Sequence, residues 1–154
     1  MTVYFIDIKG YFVNGEFAIK ELCLISDPFN PFHKVYKILI PKKFLGKKTC
    51  KTNDYMYKKF YQLDWDEGKE YFCSKCTMNL NQIAKEAIIY VADVEHGTKM
   101  KTLKKNFPNW RFISFNKTIP QLPKVPSNIS CPWRDHGSHC AYLFVCQLLI
   151  NVLC

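Results

Sequence analysis

Four metal-ligand side chains fall within one short stretch of this chain, Cys131-Pro-Trp-Arg-Asp-His136-Gly-Ser-His139-Cys140, immediately before an apolar run. Thiolate and imidazole are the donors a tetrahedral Zn²⁺ prefers. A Cys-x4-His-x3-Cys spacing lets a loop wrap the ion while the last ligand opens a helix. Either His136 or His139 can supply the imidazole. In the competing reading Cys140 is a small buried hydrophobe, and the histidines cap the helix or face water. Cys73-Ser-Lys-Cys76 has the spacing at which two thiolates face one ion or form a redox pair, but it lacks the strand-to-helix context of a redox motif. Coincidence in a chain with eight cysteines is the simpler account of that pair, and a share of the zinc site the next. Cys131 or Cys140 with a neighbouring His and Asn116 would supply the parts of a cysteine protease. Adjacent His139 and Cys140 at a helix start project in different directions, which does not suit a nucleophile and its base.

Composition bounds what such a cluster could belong to. The chain has 154 residues, enough for one domain with a proper core and too few for two comfortable ones, so a single domain over 1–154 is expected. Hydrophobic residues at 48% argue against disorder. The start, Met1-Thr-Val-Tyr-Phe-Ile-Asp, has neither the basic region nor the cleavage site of a signal peptide. The expected location is therefore intracellular, cytoplasmic or nuclear, where thiols stay reduced and serve as ligands or core rather than as disulfides. The run from Cys140 to Cys154 is shorter than the roughly 20 apolar residues of a membrane span and contains Gln147 and Asn151. It reads as a core helix, apolar nearly all round because it is sandwiched or because a partner covers one face.

The elements that must position these side chains follow from periodicity. Val3 to Val13 alternates, Asn14-Gly15 is a hairpin turn, and Glu16 to Ser26 returns as a second strand. After the break at Asp27-Pro-Phe-Asn-Pro, residues Lys34 to Ile40 form a third strand that Pro41 ends. Lys42 to Lys75 is irregular, basic and aromatic, with a helix around Asp54 to Gln62 and a turn at Asp66-Glu67-Gly68. Then the period changes: helix over Asn79 to Glu86, strand over Ala87 to Ala92, basic helix over Thr98 to Asn106, strand over Trp110 to Phe115. A connection with Pro120, Pro123 and Pro126 leads to the cluster and the last helix. The result is an α/β (mixed-sheet α+β) domain, three antiparallel strands followed by α-β-α-β-α, the element order of a five-stranded ribonuclease H-like fold.

Phe5-Ile-Asp7-Ile-Lys9-Gly10 on the first strand resembles the opening motif of the DEDD three-prime-to-five-prime exonucleases, which hold two Mg²⁺ ions with acidic side chains. His139-Cys140-Ala141 resembles that family's His before its closing Asp. Lys9 stands where the second acid would be, Phe144 stands where the closing Asp would fall, and no acid occurs from Cys140 onward. Two-metal catalysis needs several carboxylates around two ions about 4 Å apart. A divergent nuclease would have to use Asp7 with Asp64 or Asp66. The chain also resembles the Maelstrom domain, a ribonuclease H-like module of a germline small-RNA pathway that lacks the acidic set. That resemblance implies a Glu-Cys-His-Cys zinc site, here Glu21 of Lys20-Glu21-Leu22 with Cys131, His136 (or His139) and Cys140. Uncharacterised proteins of insects and mobile elements are similar at Asp7-Ile-x-Gly10, Lys20-Glu-Leu22 and Cys140-Ala141, and no activity comes with that likeness.

A net charge of +9 attracts polyanions. Lysines interleave with aromatics at Phe32-His-Lys-Val-Tyr-Lys, Lys42-Lys-Phe, Lys47-Lys and Tyr55-Met-Tyr-Lys-Lys-Phe-Tyr. These pair phosphate contacts with stacking faces. Lys99, Lys101, Lys104 and Lys105 are the expected nucleic-acid contacts, against the plain alternative that they are the solvated face of a helix. The sequence thus points to a zinc-stabilised, catalytically degenerate domain that binds single-stranded nucleic acid, RNA favoured. The divergent nuclease is a second reading, and a protein-interaction module of a host-defence or mobile-element pathway is a third.

Overall fold

The computed structural model describes residues 3–26, 31–73, 87–114, 130–134, 136 and 140–153. Strands β1 (Val3–Val13) and β2 (Glu16–Ile25) form the expected hairpin. Asn14 and Gly15 both have positive φ, 49° and 79°, the left-handed pair that matches the twist of two antiparallel strands. β3 (Phe32–Lys37) pairs antiparallel with β2. It starts two residues before and stops three residues before the expected strand, because its partners rather than Pro41 set its length: Glu21–Leu24 pairs with Phe32–Val35, and Glu70–Tyr71 with Tyr36 and Lys37. The short β4 (Glu70–Tyr71) joins β3 in parallel, a strand too brief to leave a period in the sequence. β5 (Ile88–Val91) and β6 (Arg111–Ser114) extend the other edge in parallel, giving a six-stranded mixed sheet of order β4-β3-β2-β1-β5-β6.

Three helices accompany the sheet among the described residues. α1 (Lys47–Met56) begins seven residues earlier than expected and runs on through a π-helical turn, Tyr57–Tyr61. α2 (Thr98–Asn106) has the expected limits, and α3 (Ala141–Leu153) follows the cysteine cluster. The expected helix over 79–86 lies outside the described residues. No described helix is long and apolar enough to cross a membrane.

Alternation divides the core. Ile6, Ile8, Leu22, Leu24, Ile89 and Val91 meet Met100, Leu103, Phe107 and Trp110 on one face of the sheet. Phe5, Cys23 and Ile25 meet Ala141, Val145, Cys146 and Leu149 of α3 on the other. The apolar surface of α3 is thus used against the sheet, and none of residues 141–149 is exposed.

One irregularity matters for function. Lys9 pairs with Glu21 while Gly10 pairs with Ile19, so Lys20 is the extra residue of a β-bulge. Ile19 therefore joins the same core as Leu22 and Leu24, a parity that strict alternation forbids. Gly10 permits the close approach: a Cβ there would lie 2.0 Å from the Ala18 carbonyl oxygen. Gly10→Ala is expected to destabilise the fold by about 2 kcal/mol or more, read as a lower midpoint in urea denaturation, because the clash is with backbone and not with a movable side chain.

Candidate metal centre

The bulge puts Lys20 and Glu21 to separate uses. The fully buried Lys20 ammonium donates to the carbonyls of Trp65 (2.9 Å) and Glu67. This fixes the segment after α1. Burial brings the Lys20 ammonium down to about 8, against the opposing pull of Glu67, Asp66 and Asp64. The Glu67 carboxylate then takes a bidentate contact from Arg134, 2.6 and 2.7 Å, and a hydrogen bond from the Trp133 indole. Arg134 also donates to the Gln62 carbonyl at 2.6 Å. Gln62 accepts there from a left-handed backbone conformation that ends the π-turn. The loop bearing Cys131 and His136 is therefore docked on the end of the α1 segment by charge-assisted hydrogen bonds.

Glu21 itself is fully buried. Its Oε1 accepts the Ala141 N–H at 2.7 Å, at the start of α3, where the helix dipole favours a carboxylate. Its Oε2 lies 3.0 Å from His136 Nε2, 3.6 Å from Cys140 Sγ and 4.0 Å from Cys131 Sγ. One ligand atom from each of Glu21, Cys131, His136 and Cys140 lies within 4.8 Å of all the others, and all four residues are buried. Ligand edges of a tetrahedral zinc site measure about 3.3–3.8 Å, so modest closure around an ion would complete the shell. The orientation of His136 fits too. Its Nδ1 is 2.8 Å from the Tyr61 carbonyl, and donating its proton there leaves the Nε2 lone pair for a metal. His139 lies outside the described residues.

A fifth side chain completes the group and was not singled out from the sequence. His33 on β3 places Nε2 2.7 Å from Glu21 Oε2 and 3.8 Å from Cys131 Sγ. The register is responsible: Cys23 faces His33 and Glu21 faces Val35, so Glu21 and His33 are diagonal neighbours. The lone signal in the sequence was the parity of His33 on its strand, which has no meaning until the length of the preceding connection is known.

The cluster is electrostatically self-consistent without an ion. Burial would raise the Glu21 carboxyl, but hydrogen bonds from His136 and His33 outweigh it and hold it at about 2. Burial would lower both imidazoles, yet contacts with Cys131 and Glu21 lift His33 to about 9 and His136 to about 10. The hydrogen bond with Cys140, opposed by burial, takes the Cys131 thiol far below its usual range, and the same bond, with burial, pushes Cys140 up. Two anions thus face two cations.

The remaining candidate residues lie elsewhere. Asp7 is buried, with Lys9 Nζ 3.1 Å from its Oδ2 and Lys99 Nζ 2.6 Å from its Oδ1. Both ammoniums sit over the Phe144 ring, 5.1 and 5.5 Å from its centroid. Asp64 and Asp66 are exposed, and among the described residues they form no metal-ligand group with Asp7. Of the four α2 lysines, Lys99 is turned inward to Asp7, Lys104 pairs with Glu95 at 2.5 Å, and Lys105 pairs with Glu16 at 2.6 Å. Lys101 is exposed. Cys73 is half-buried and Cys76 lies outside the described residues.

No family model matches the chain, and no curated protein or solved structure is significantly similar to it.

Two outcomes follow from this geometry. Cys131→Ser is expected to abolish stoichiometric metal retention and lower the melting temperature. Glu67→Ala, which touches no ligand atom, is expected to weaken metal affinity about 10- to 100-fold, measured by competition with a chromogenic chelator. The second outcome concerns protons. A group held below its ordinary value stabilises the fold above that value, and one held above it stabilises the fold below it. In the metal-free protein the Glu21 contribution is therefore lost as pH falls from 4.5 toward 2, and those of His33 and His136 are lost as pH rises from 6.5 through 9 to 10. The lowered Cys131 thiol adds stability that is lost as pH falls from 9, so thermal melting should rise between those windows and peak near 6.5, where the losses from His33 and His136 begin to outweigh it. Metal uptake at pH 7 should expel about two protons per ion, from Cys140 and His136, seen by calorimetry in buffers of different ionisation enthalpy.

Proposed function

We propose that this chain is a ribonuclease H-like domain without two-metal nuclease activity, held together by a structural zinc ion and binding single-stranded nucleic acid. Zinc is the ion suited to the donor set of two thiols, one imidazole and one carboxylate in a closed, buried, four-ligand arrangement, which leaves no position for a catalytic water. The sheet order, with β2 antiparallel to its neighbours β1 and β3 on one side of β1 and β5 and β6 parallel to β1 on the other, supports the ribonuclease H-like reading.

The observation that carries the non-catalytic reading is the Lys9–Asp7–Lys99 cluster. Two ammoniums occupy the surroundings of the one buried carboxylate of the first strand, and a phenyl ring covers them. A Mg²⁺ ion needs a shell of oxygen ligands and would meet two like charges there. The cluster supplies cations from the protein in place of cations from solution. The net charge of +9 favours a polyanionic ligand, and the resemblance to a small-RNA-pathway module favours RNA. Fold alone does not assign activity, so the nuclease question is decided by assay.

Purified protein is expected to show no Mg²⁺- or Mn²⁺-dependent degradation of a labelled single-stranded RNA or DNA. Robust cleavage lost in Asp7→Asn would overturn the reading. Metal analysis of protein purified without added metal is expected to give about one zinc per chain, and full thermal stability with no bound metal would remove the zinc from it.

A further inference from the structure

We infer that the solvent face of α1, rather than α2, is the surface that engages the single strand; the inference rests on the nucleic-acid reading above. Between Lys42 and Tyr61 the chain carries seven lysines and one acid, Asp54. The acid is already neutralised, since Lys42 Nζ lies 2.5 Å from Asp54 Oδ1. At 100° per residue Lys47, Lys48, Lys51 and Tyr55 of α1 fall within one sector of about 100°, and Lys58 and Lys59 follow in the π-helical turn. All six are exposed, and none of these lysines forms an ion pair among the described residues. The α2 lysines differ, with three of four committed to Asp7, Glu95 and Glu16.

The opposite side of α1 anchors the face. Buried Asn53 accepts the Phe12 N–H at 2.8 Å and donates to the Phe12 carbonyl at 2.9 Å, which clamps the helix to β1 in place of a strand partner. The lysines are therefore presented on a fixed platform. Tyr55 is 56% exposed within the sector, and Phe44, 68% exposed, precedes the helix. Exposed rings among unpaired ammoniums are what a strand needs: charge for phosphates and π-faces for bases of any identity.

The local chemistry disfavours the helix unless something binds there. Lys47 and Lys48 stand in the first turn with no acid and no side-chain cap, at the end where the helix dipole repels cations. Lys47 and Lys51 are like charges one turn apart. Among the described residues no acidic side chain pairs with these lysines, and a bound polyanion would reverse both costs.

The test is fluorescence anisotropy of a labelled 15-nucleotide oligouridylate, titrated with the full chain between 50 and 200 mM salt. K47E/K51E/K58E is expected to weaken binding about tenfold or more at 50 mM salt. The gentler K47A/K51A/K58A should reduce the slope of log affinity against log salt by about 2, at 0.7 per phosphate contact on a single strand. Tyr55→Ala is expected to cost about tenfold through lost stacking. K101E/K104E/K105E should change affinity by less than about threefold. Unchanged melting temperatures in the exposed alanine variants keep the comparison free of unfolding. If the unsubstituted protein binds the oligonucleotide but only the α2 variant loses it, the assignment of the face is wrong while the nucleic-acid reading stands. If the unsubstituted protein ignores the oligonucleotide, or binds vesicles of anionic phospholipid instead, both fall.

Discussion

A carboxylate with no access to water depends on its neighbours for every part of its solvation, and Glu21 is such a group at the middle of this fold. Its two oxygens draw on the N-terminus of α3, on His136 from the preceding loop, on Cys140, and on His33 from the adjacent strand. Chain segments separated by more than a hundred residues are brought together by one charge. Removing any one partner would leave the others facing an undercompensated ion, which costs more than the lost contact alone. The burial of Glu21 also explains why its surroundings are so fully hydrogen-bonded out to Glu67, Arg134 and Tyr61. Hydrogen bonds from Trp133 and Arg134 to Glu67 help fix the loop bearing Cys131 and His136.

Much of this arrangement was legible in the residues, and what was not legible has specific causes. The Asn14-Gly15 turn and the limits of α2 could be read because turn chemistry and helical periodicity over nine residues are local signals. The four residues Glu21, Cys131, His136 and Cys140 could be named from ligand type and family likeness, and they lie together. His33 could not, because its place depends on register across a connection whose length no local rule supplies. The start of α1 was hidden because its first turn is lysine and threonine with no apolar stripe, and the helix is held by buried Asn53 and, at its far end, by Met56 packed against the Tyr11–Tyr61 cluster. As a run of lysines, Lys99 and its three neighbours form one charged surface, whereas a buried aspartate on another element turns Lys99 inward. Net charge along a helix does not say which lysine has a partner.

The two buried charge clusters lie side by side. Lys9 and Glu21 are directly opposed across the β1–β2 ladder, an arrangement that would ordinarily yield a cross-strand salt bridge. Instead Lys9 lies against Asp7, two residues along its own strand, and Glu21 lies against the histidines. An ammonium seated on Glu21 would occupy the room that a metal ion needs and would compete with it for the same oxygen. Asp7, on the same face of the sheet, takes the Lys9 ammonium instead, at 3.1 Å.

Helix α3 keeps the two clusters apart. Cys140, at its threshold, contributes to the Glu21 group, and Phe144, four residues on and so on the same side of the helix, lies over Lys9 and Lys99. A ring attracts cations through its face without offering the hydrogen-bond acceptor that a carboxylate would. An acidic residue at position 144 would face two ammoniums and Asp7, drawing Lys9 or Lys99 from Asp7 and leaving that buried carboxylate short of charge. With phenylalanine there, each anion on this face of the sheet keeps its own cations: Asp7 its two lysines, and Glu21 its two histidines or a metal. Phe144 is therefore part of the same charge partition that leaves Lys9 with Asp7 and Glu21 with its histidines.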